Sequence, residues 1–185
     1  MIVGVGGQGS LLASRLMGTA LMAQGFDVKV SEVHGMSQRG GSVVTYVKYG
    51  KQVFSPVIEK GEADAIMSFE KLEAARWLPY LKEGGKLVVN SQEIDPMPVI
   101  TGTAKYPADI IPKLRTLGAN VIEIDALDLA MQAGSSKAVN VVLIGALSNY
   151  MDISEDDWRA AITECVPNKF LDLNLKAFAL GRAAQ

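Results

Sequence analysis

Near its start the chain reads Ile2-Val3-Gly4-Val5-Gly6-Gly7-Gln8-Gly9-Ser10, a short apolar run that breaks into glycines and then into a helix-forming stretch. Gly4, Gly6 and Gly9 fall at G-x-G-x-x-G spacing, with a strand before and a helix after. Few local patterns commit a chain so strongly. Glycines permit the tight turn and the close approach of helix to strand, and the free N–H groups at the helix start favour an anion. Gly7 loosens the turn further and Ser10 adds a hydroxyl. The expectation is a strand–turn–helix unit opening a wound α/β sheet. The same glycines also serve plain close packing, with nothing bound.

The rest of the chain keeps that rhythm. A helix is expected from about residue 9 to 24, with Leu12, Leu16, Ala20 and Ala23 as its packing face and Gly25 ending it. A second strand begins at Asp27-Val28-Lys29-Val30. The β-branched and aromatic run 43–49, then Gly50-Lys51, predicts a hairpin returning through Gln52-Val53-Phe54. Buried strands are expected at 64–69, 86–90 and 120–125. The helix between the first two carries Leu72, Ala75 and Leu78 and is interrupted at Pro79; Gly84-Gly85 closes that segment. Residues 91–107 hold Pro96, Pro98 and Pro107 and read as an irregular crossing. Asp109 is placed to cap a helix with Pro112 in its first turn, Leu114 and Leu117 facing inward. From Ala126 onward the chain is mostly helical, and Ser154 with Asp157 resembles a capping box.

Strands alternating with helices define an α/β, Rossmann-like three-layer sandwich. Its sheet is mostly parallel, with an antiparallel hairpin and a helical C-terminal end. At 185 residues, the chain is read as one domain over 1–185. Met1-Ile2-Val3 is short for a buried strand, which leaves open whether native residues precede Met1.

Composition narrows the function. A net charge of -2 gives no broad electrostatic case for nucleic acid or an anionic membrane. No stretch approaches the ~20 apolar residues of a membrane span, and the cytoplasm is the expected location. The single cysteine, Cys165, excludes an intrachain disulfide or an iron–sulfur site built by this chain alone. It reads as a small buried residue at a helix end. No carboxylate cluster has metal-ligand spacing.

A second motif follows the second strand: Glu32-Val33-His34-Gly35-Met36-Ser37-Gln38-Arg39-Gly40-Gly41-Ser42-Val43. Arg39 offers a permanent cation with a planar fork of donors, suited to phosphate or carboxylate. Gly40 and Gly41 clear side chains beside it. Glu32 stands where a ribose-binding acid would in a dinucleotide fold. His34 is the one histidine, read either as a titrating group or as a loop residue bonded to backbone. Asn90, ending a strand, is read as a ligand contact or a helix cap.

With its G-V-G-G-Q-G loop, its E-V-H-G-M-S-Q-R-G-G-S-V string, Ser55-Pro56 and Gly61-Glu62-Ala63-Asp64, the sequence resembles the gamma-type subunits of 2-oxoacid:ferredoxin oxidoreductases. Within that family it is most similar to the small (beta) subunits of the indolepyruvate enzymes. The likeness runs on through Leu78-Pro79-Tyr80-Leu81 to Asn174, Ala177, Phe178 and Gly181. It implies a subunit, inactive alone, of an enzyme that decarboxylates aryl pyruvates on thiamine diphosphate. Such an enzyme passes electrons through iron–sulfur clusters to ferredoxin and the acyl group to coenzyme A. This chain has no thiamine motif and too few cysteines for a cluster, so those groups are expected on a large alpha subunit, and no catalytic residue is assigned here.

The candidate cofactor-binding residues are Gly4, Gly6, Gly7, Gln8, Gly9, Ser10, Glu32, His34, Ser37, Gln38, Arg39, Gly40 and Gly41. They have two possible uses: a coenzyme A contact, or the interface with the thiamine-bearing partner. An exposed apolar patch at a partner face is expected, and it could pair two copies into a homodimer when the chain is isolated. Two other readings stay open: a stand-alone NAD(P)-dependent oxidoreductase, and a non-enzymatic nucleotide-sensing or assembly subunit.

Overall fold

The computed structural model describes residues 1–33 and 41–184. Strand β1 (Ile2–Val5) leads into α1 (Ser10–Ala23), then β2 (Asp27–Val33), β3 (Ser42–Gly50), β4 (Ala63–Ser68) and α2 (Lys71–Trp77). After β5 (Leu81–Asn90) come the short α3 (Met97–Ile100), α4 (Ile110–Thr116) and β6 (Asn120–Ile124). The remainder is helical: α5 (Ala126–Ala133), α6 (Val139–Ser148), α7 (Glu155–Cys165) and α8 (Leu171–Ala183).

The six strands lie in the order β2-β3-β1-β4-β5-β6. β1, β4, β5 and β6 run parallel, while β3 is antiparallel to both of its neighbours. Successive strand residues point to opposite faces, and each face feeds its own core. Ile2, Met67, Val88 and Ile124 meet the face covered by α1 and α5–α8, where Leu16, Ile144, Trp158 and Phe178 are buried. Val3, Ile66, Leu87 and Val89 meet the opposite face, under α2 and α4, with Ala74, Ile110 and Leu114.

Helix α6 is buried from Asn140 through Ser148. It lies against α8 at backbone distance: a Cβ on Gly145 would collide with the carbonyl of Phe178, and one on Gly181 with the carbonyl of Val142. Both glycines are there because the neighbouring helix backbone occupies the side-chain space.

Several expectations change. The antiparallel hairpin joins β2 to β3, Asp27 opposite Gly50 and Val33 opposite Val44, rather than β3 to 52–54. Residues 52–54 form no strand; the Val53 N–H donates instead to Asp27 Oδ2 (2.8 Å). The packing face of α1 is turned from the expected one. Leu16 and Ala20 are buried with Ala13, Met17 and Leu21, Leu12 is half-buried, and Ala23 is exposed. Gly84-Gly85 lies within β5, where pairing with β4 jumps from Ala63–Leu81 to Ala65–Lys86. Asp109 precedes α4 but adopts φ 56° and makes no side-chain cap. Leu114 is buried, whereas Leu117, at the end of that helix, is 73% exposed. Pro79 is the second residue of a single 3-10 turn, Leu78–Tyr80, directly after α2.

Candidate functional site

The parallel strands all end at one edge, where β1 gives way to the glycine loop. Gln8 holds the loop shut. Its Oε1 accepts from the Val5 N–H (2.7 Å), its own N–H donates to the Val5 carbonyl (3.3 Å), and its Nε2 donates to the Phe69 carbonyl beyond β4 (3.3 Å). An amide side chain is needed, since one group must both accept and donate. Gly4 is glycine because Gln8 Oε1 and Phe69 Cβ stand 2.7 and 2.9 Å from where its Cβ would be. Gly9 has φ +88°, and its missing Cβ would lie 2.9 Å from Asn140 Nδ2. That same nitrogen donates to the Gly9 carbonyl (3.2 Å). Asn140 thus ties the loop to the start of α6.

The two sequence motifs meet here. The Gly6 N–H donates to the Gly41 carbonyl (3.1 Å), and Val5 pairs with Ser42 across the β1–β3 ladder. Ser42 in turn donates its hydroxyl to Glu73 Oε2, a buried carboxylate that also accepts from Trp77 Nε1 (3.3 Å) and Arg76 Nε (3.0 Å). The candidate residues His34, Ser37, Gln38, Arg39 and Gly40 lie outside the described residues. Glu32 is not brought to the loop. It accepts from Ser14 Oγ (3.4 Å) and stands opposite Thr45, which stands opposite Ile2. That is two strand spacings from β1, roughly 10 Å, and below the loop.

Outside the loop lies a cleft of 480 Å³ bounded by Gly7, Gln8, Gly9, Gln92, Leu127, Ser136, Lys137 and Val139. Gly9, the residue before α1, lines it, and the first turn of α1 contains no acidic residue. Lys137 and Ser136 come from a 3-10 turn that Ser135 caps by accepting from the Lys137 N–H (3.2 Å). A helix start, a cation and a hydroxyl on one cleft suit a phosphate or carboxylate. Gln92, Ser136, Lys137 and Asn140 were missed by sequence reading, because they come from distant segments that carry no motif.

The floor of this edge is a polar network. Asn90, fully buried, donates to the Phe69 carbonyl (3.1 Å) and accepts from the Ala126 N–H (3.1 Å), so it caps α5 from the end of the neighbouring strand. Glu70 is 1% exposed. It accepts from the backbone N–H groups of Glu73 (2.9 Å) and Ile94 (3.2 Å) and from the Tyr106 hydroxyl. It thereby pins the 91–107 crossing at both ends.

Burial, then the hydrogen bond to the Glu70 carboxylate, holds the Tyr106 phenol above its ordinary value of 10.0. A phenol raised in the folded state stabilises the fold below the unfolded value and loses that contribution as the pH climbs above it. Stability to urea is therefore expected to fall above about pH 10, and Tyr106→Phe to shallow that decline in denaturation midpoints measured from about pH 8 to 11.

Among the described residues, no three His, Cys, Asp or Glu side chains group as a metal site, and no helix is long and apolar enough to cross a membrane. Cys165 ends α7, buried, with Sγ 3.3 Å from Thr19 Oγ1.

A Rossmann-like sheet with a glycine loop at the carboxyl ends of its parallel strands defines a wound α/β module. The sequence matches the family "Pyruvate ferredoxin/flavodoxin oxidoreductase" over residues 1–184, and the chain belongs to that family. It is 45% identical to the indolepyruvate oxidoreductase subunit IorB of Thermococcus kodakarensis, over 98% of this chain and 92% of that relative. Two solved structures share the fold. The gamma subunit of a keto/oxoacid ferredoxin oxidoreductase from Geobacter sulfurreducens matches with TM-score 0.72 and 24% identity, covering 99% of this chain and 95% of that one. A 2-oxoglutarate:ferredoxin oxidoreductase from Magnetococcus marinus, solved with 2-oxoglutarate, coenzyme A and succinyl-CoA, also matches with TM-score 0.72, at 20% identity. There the match covers 99% of this chain but only 30% of the longer one.

Proposed function

We propose that this chain is the small subunit of an indolepyruvate ferredoxin oxidoreductase, acting as one gamma-type domain over residues 1–185. The observation that carries this reading is the 45% identity to an indolepyruvate oxidoreductase subunit along nearly the whole length of both chains. In the assembled enzyme an aryl pyruvate loses carbon dioxide, its acyl group passes to the thiol of coenzyme A, and the electrons released reduce ferredoxin. Thiamine diphosphate and iron–sulfur clusters belong to the large alpha subunit, where they supply carbanion stabilisation and electron transfer. The enzyme works in the cytoplasm.

The task of this chain's own residues is binding. The glycine loop and Lys137 hold a phosphate-bearing part of coenzyme A, and the cleft they share supports this use of the first motif over a purely interfacial one. The Gly6–Gly41 hydrogen bond ties the glycine loop to the residue just before β3. No proton transfer is assigned to this chain.

The test is co-expression with the large subunit under anaerobic conditions, then assay with indolepyruvate, coenzyme A and ferredoxin. Turnover by the pair, and none by either chain alone, is the expected result. Turnover by this chain alone, or tight NAD(P) binding without a partner, would defeat the reading. In the active pair, Lys137→Ala is expected to raise KM for coenzyme A about 3- to 10-fold with kcat retained. That range corresponds to an exposed charge contact of roughly 1 kcal/mol.

A further inference from the structure

The helical layer over the sheet stops short of its β2 edge. On that face α1 packs toward α6 and α7 on one side and against β2 and β3 below. Its other side borders a groove of 940 Å³, floored by Val28 and Val30 of the edge strand. Leu11, Met22 and Val30 are 62%, 58% and 45% exposed there.

Gly18 stands in the middle of this wall. An interior helix glycine is destabilising relative to alanine, and Gly145 and Gly181 show what normally excuses one. Gly18 has no such excuse, since a Cβ on it would meet nothing within 4 Å. It leaves a notch open to the groove. Arg15, one turn earlier, is exposed and makes no hydrogen bond or ion pair with a described residue.

We propose that this groove seats a helix of the large subunit, its apolar stripe laid over Val28 and Val30 and a carboxylate set opposite Arg15. This rests on the assignment of the chain as a small subunit. A helix fits better than a strand, because the Gly18 notch allows close approach of a helix axis and the wall from Leu11 to Met22 is about 16 Å long, three turns. A second copy fits worse. α1 has no acidic residue to meet a partner's Arg15, and the groove's one carboxylate, Glu32, already accepts from Ser14. In the longer Magnetococcus chain the matching fold is 30% of the polypeptide, so a unit of this shape does sit in a larger body.

The test uses the tagged chain co-expressed with its large subunit, in three forms: wild type, Gly18→Leu and Arg15→Glu. Gly18→Leu is expected to leave the isolated chain at least as heat-stable as wild type, because leucine favours helix and enters open space. Retention of the large subunit is expected to fall at least about 10-fold for both variants. Wild-type-like retention by both would overturn the docking site while leaving the subunit assignment intact. Failure of the wild type itself to retain a large chain would overturn both. If Gly18→Leu instead dissolved a homodimer and left the heteromeric complex untouched, the occupant would be a second copy and the proposal wrong.

Discussion

Gly181→Val is expected to lower the melting temperature by on the order of 10 °C, from a loss of about 3 kcal/mol. The cause is specific. A Cβ at this position would stand on the Val142 carbonyl, and the neighbouring atoms are all backbone of α6. Helix backbones cannot swing aside as a flexible side chain can, so α8 must lift off. Lifting it uncovers Val142, Ile144 and Phe178, which are fully buried. Gly145→Val is expected to behave alike, from the other side of the same crossing. Thermal denaturation followed by circular dichroism reads the effect. A drop under about 3 °C, what roughly 1 kcal/mol gives in a domain this size, would mean that the two helices can separate at little cost.

The second large effect is expected at the loop. Gly9→Val combines two penalties. A β-branched residue is forced to φ +88°, and its Cβ sits 2.9 Å from Asn140 Nδ2, the group that ties the loop to α6. Left-handed backbone alone costs about 1–2 kcal/mol, and displacing Asn140 removes its bond to the Gly9 carbonyl. The expected result is a loss of about 2–3 kcal/mol in urea unfolding and at least a 10-fold fall in coenzyme A-dependent turnover of the assembled enzyme. Gly7→Ala is the matched comparison, since Gly7 has φ +94° but no atom within 4 Å of its missing Cβ. It should show only the backbone term, about 1 kcal/mol. Equal effects at the two positions would remove Asn140 from the account.

Much of the fold was legible, for local reasons. The β1–loop–α1 unit, the buried strands β4 and β5, β6 and the helical end all follow from apolar runs and from glycines and prolines that act within a few residues. The hairpin was misplaced because the visible turn, Gly50-Lys51, competes with a pairing that no local signal announces. β2 joins β3 across eight intervening residues, and Asp27 takes the Val53 N–H that a 52–54 strand would have needed. The face of α1 was misjudged because α1 packs against both sheet and helices, widening its buried surface beyond one stripe. Of the site, Gly4 and Gln8 could be read as a unit because Gln8 Oε1 fills the space beside Gly4. Asn140, Lys137, Glu70 and Tyr106 could not, since each gains its meaning from a partner 36 residues or more away.

The all-buried α6 and its backbone-tight seat on α8 bear on how the protein is made. During synthesis α6 leaves the ribosome well before residues 171–183, so a helix buried from Asn140 through Ser148 in the folded chain waits without its lid. At typical elongation of about 5–20 residues per second, that interval lasts seconds, long enough for α6 to be engaged by a chaperone or by another nascent chain. The sheet's central strand β1 is made first, yet its core on the α6 side stays open until α8 arrives. Closure of the α6 side of the core is therefore expected to wait for α8, and premature stops within α8 should yield chains that aggregate or are degraded rather than chains that are merely shorter.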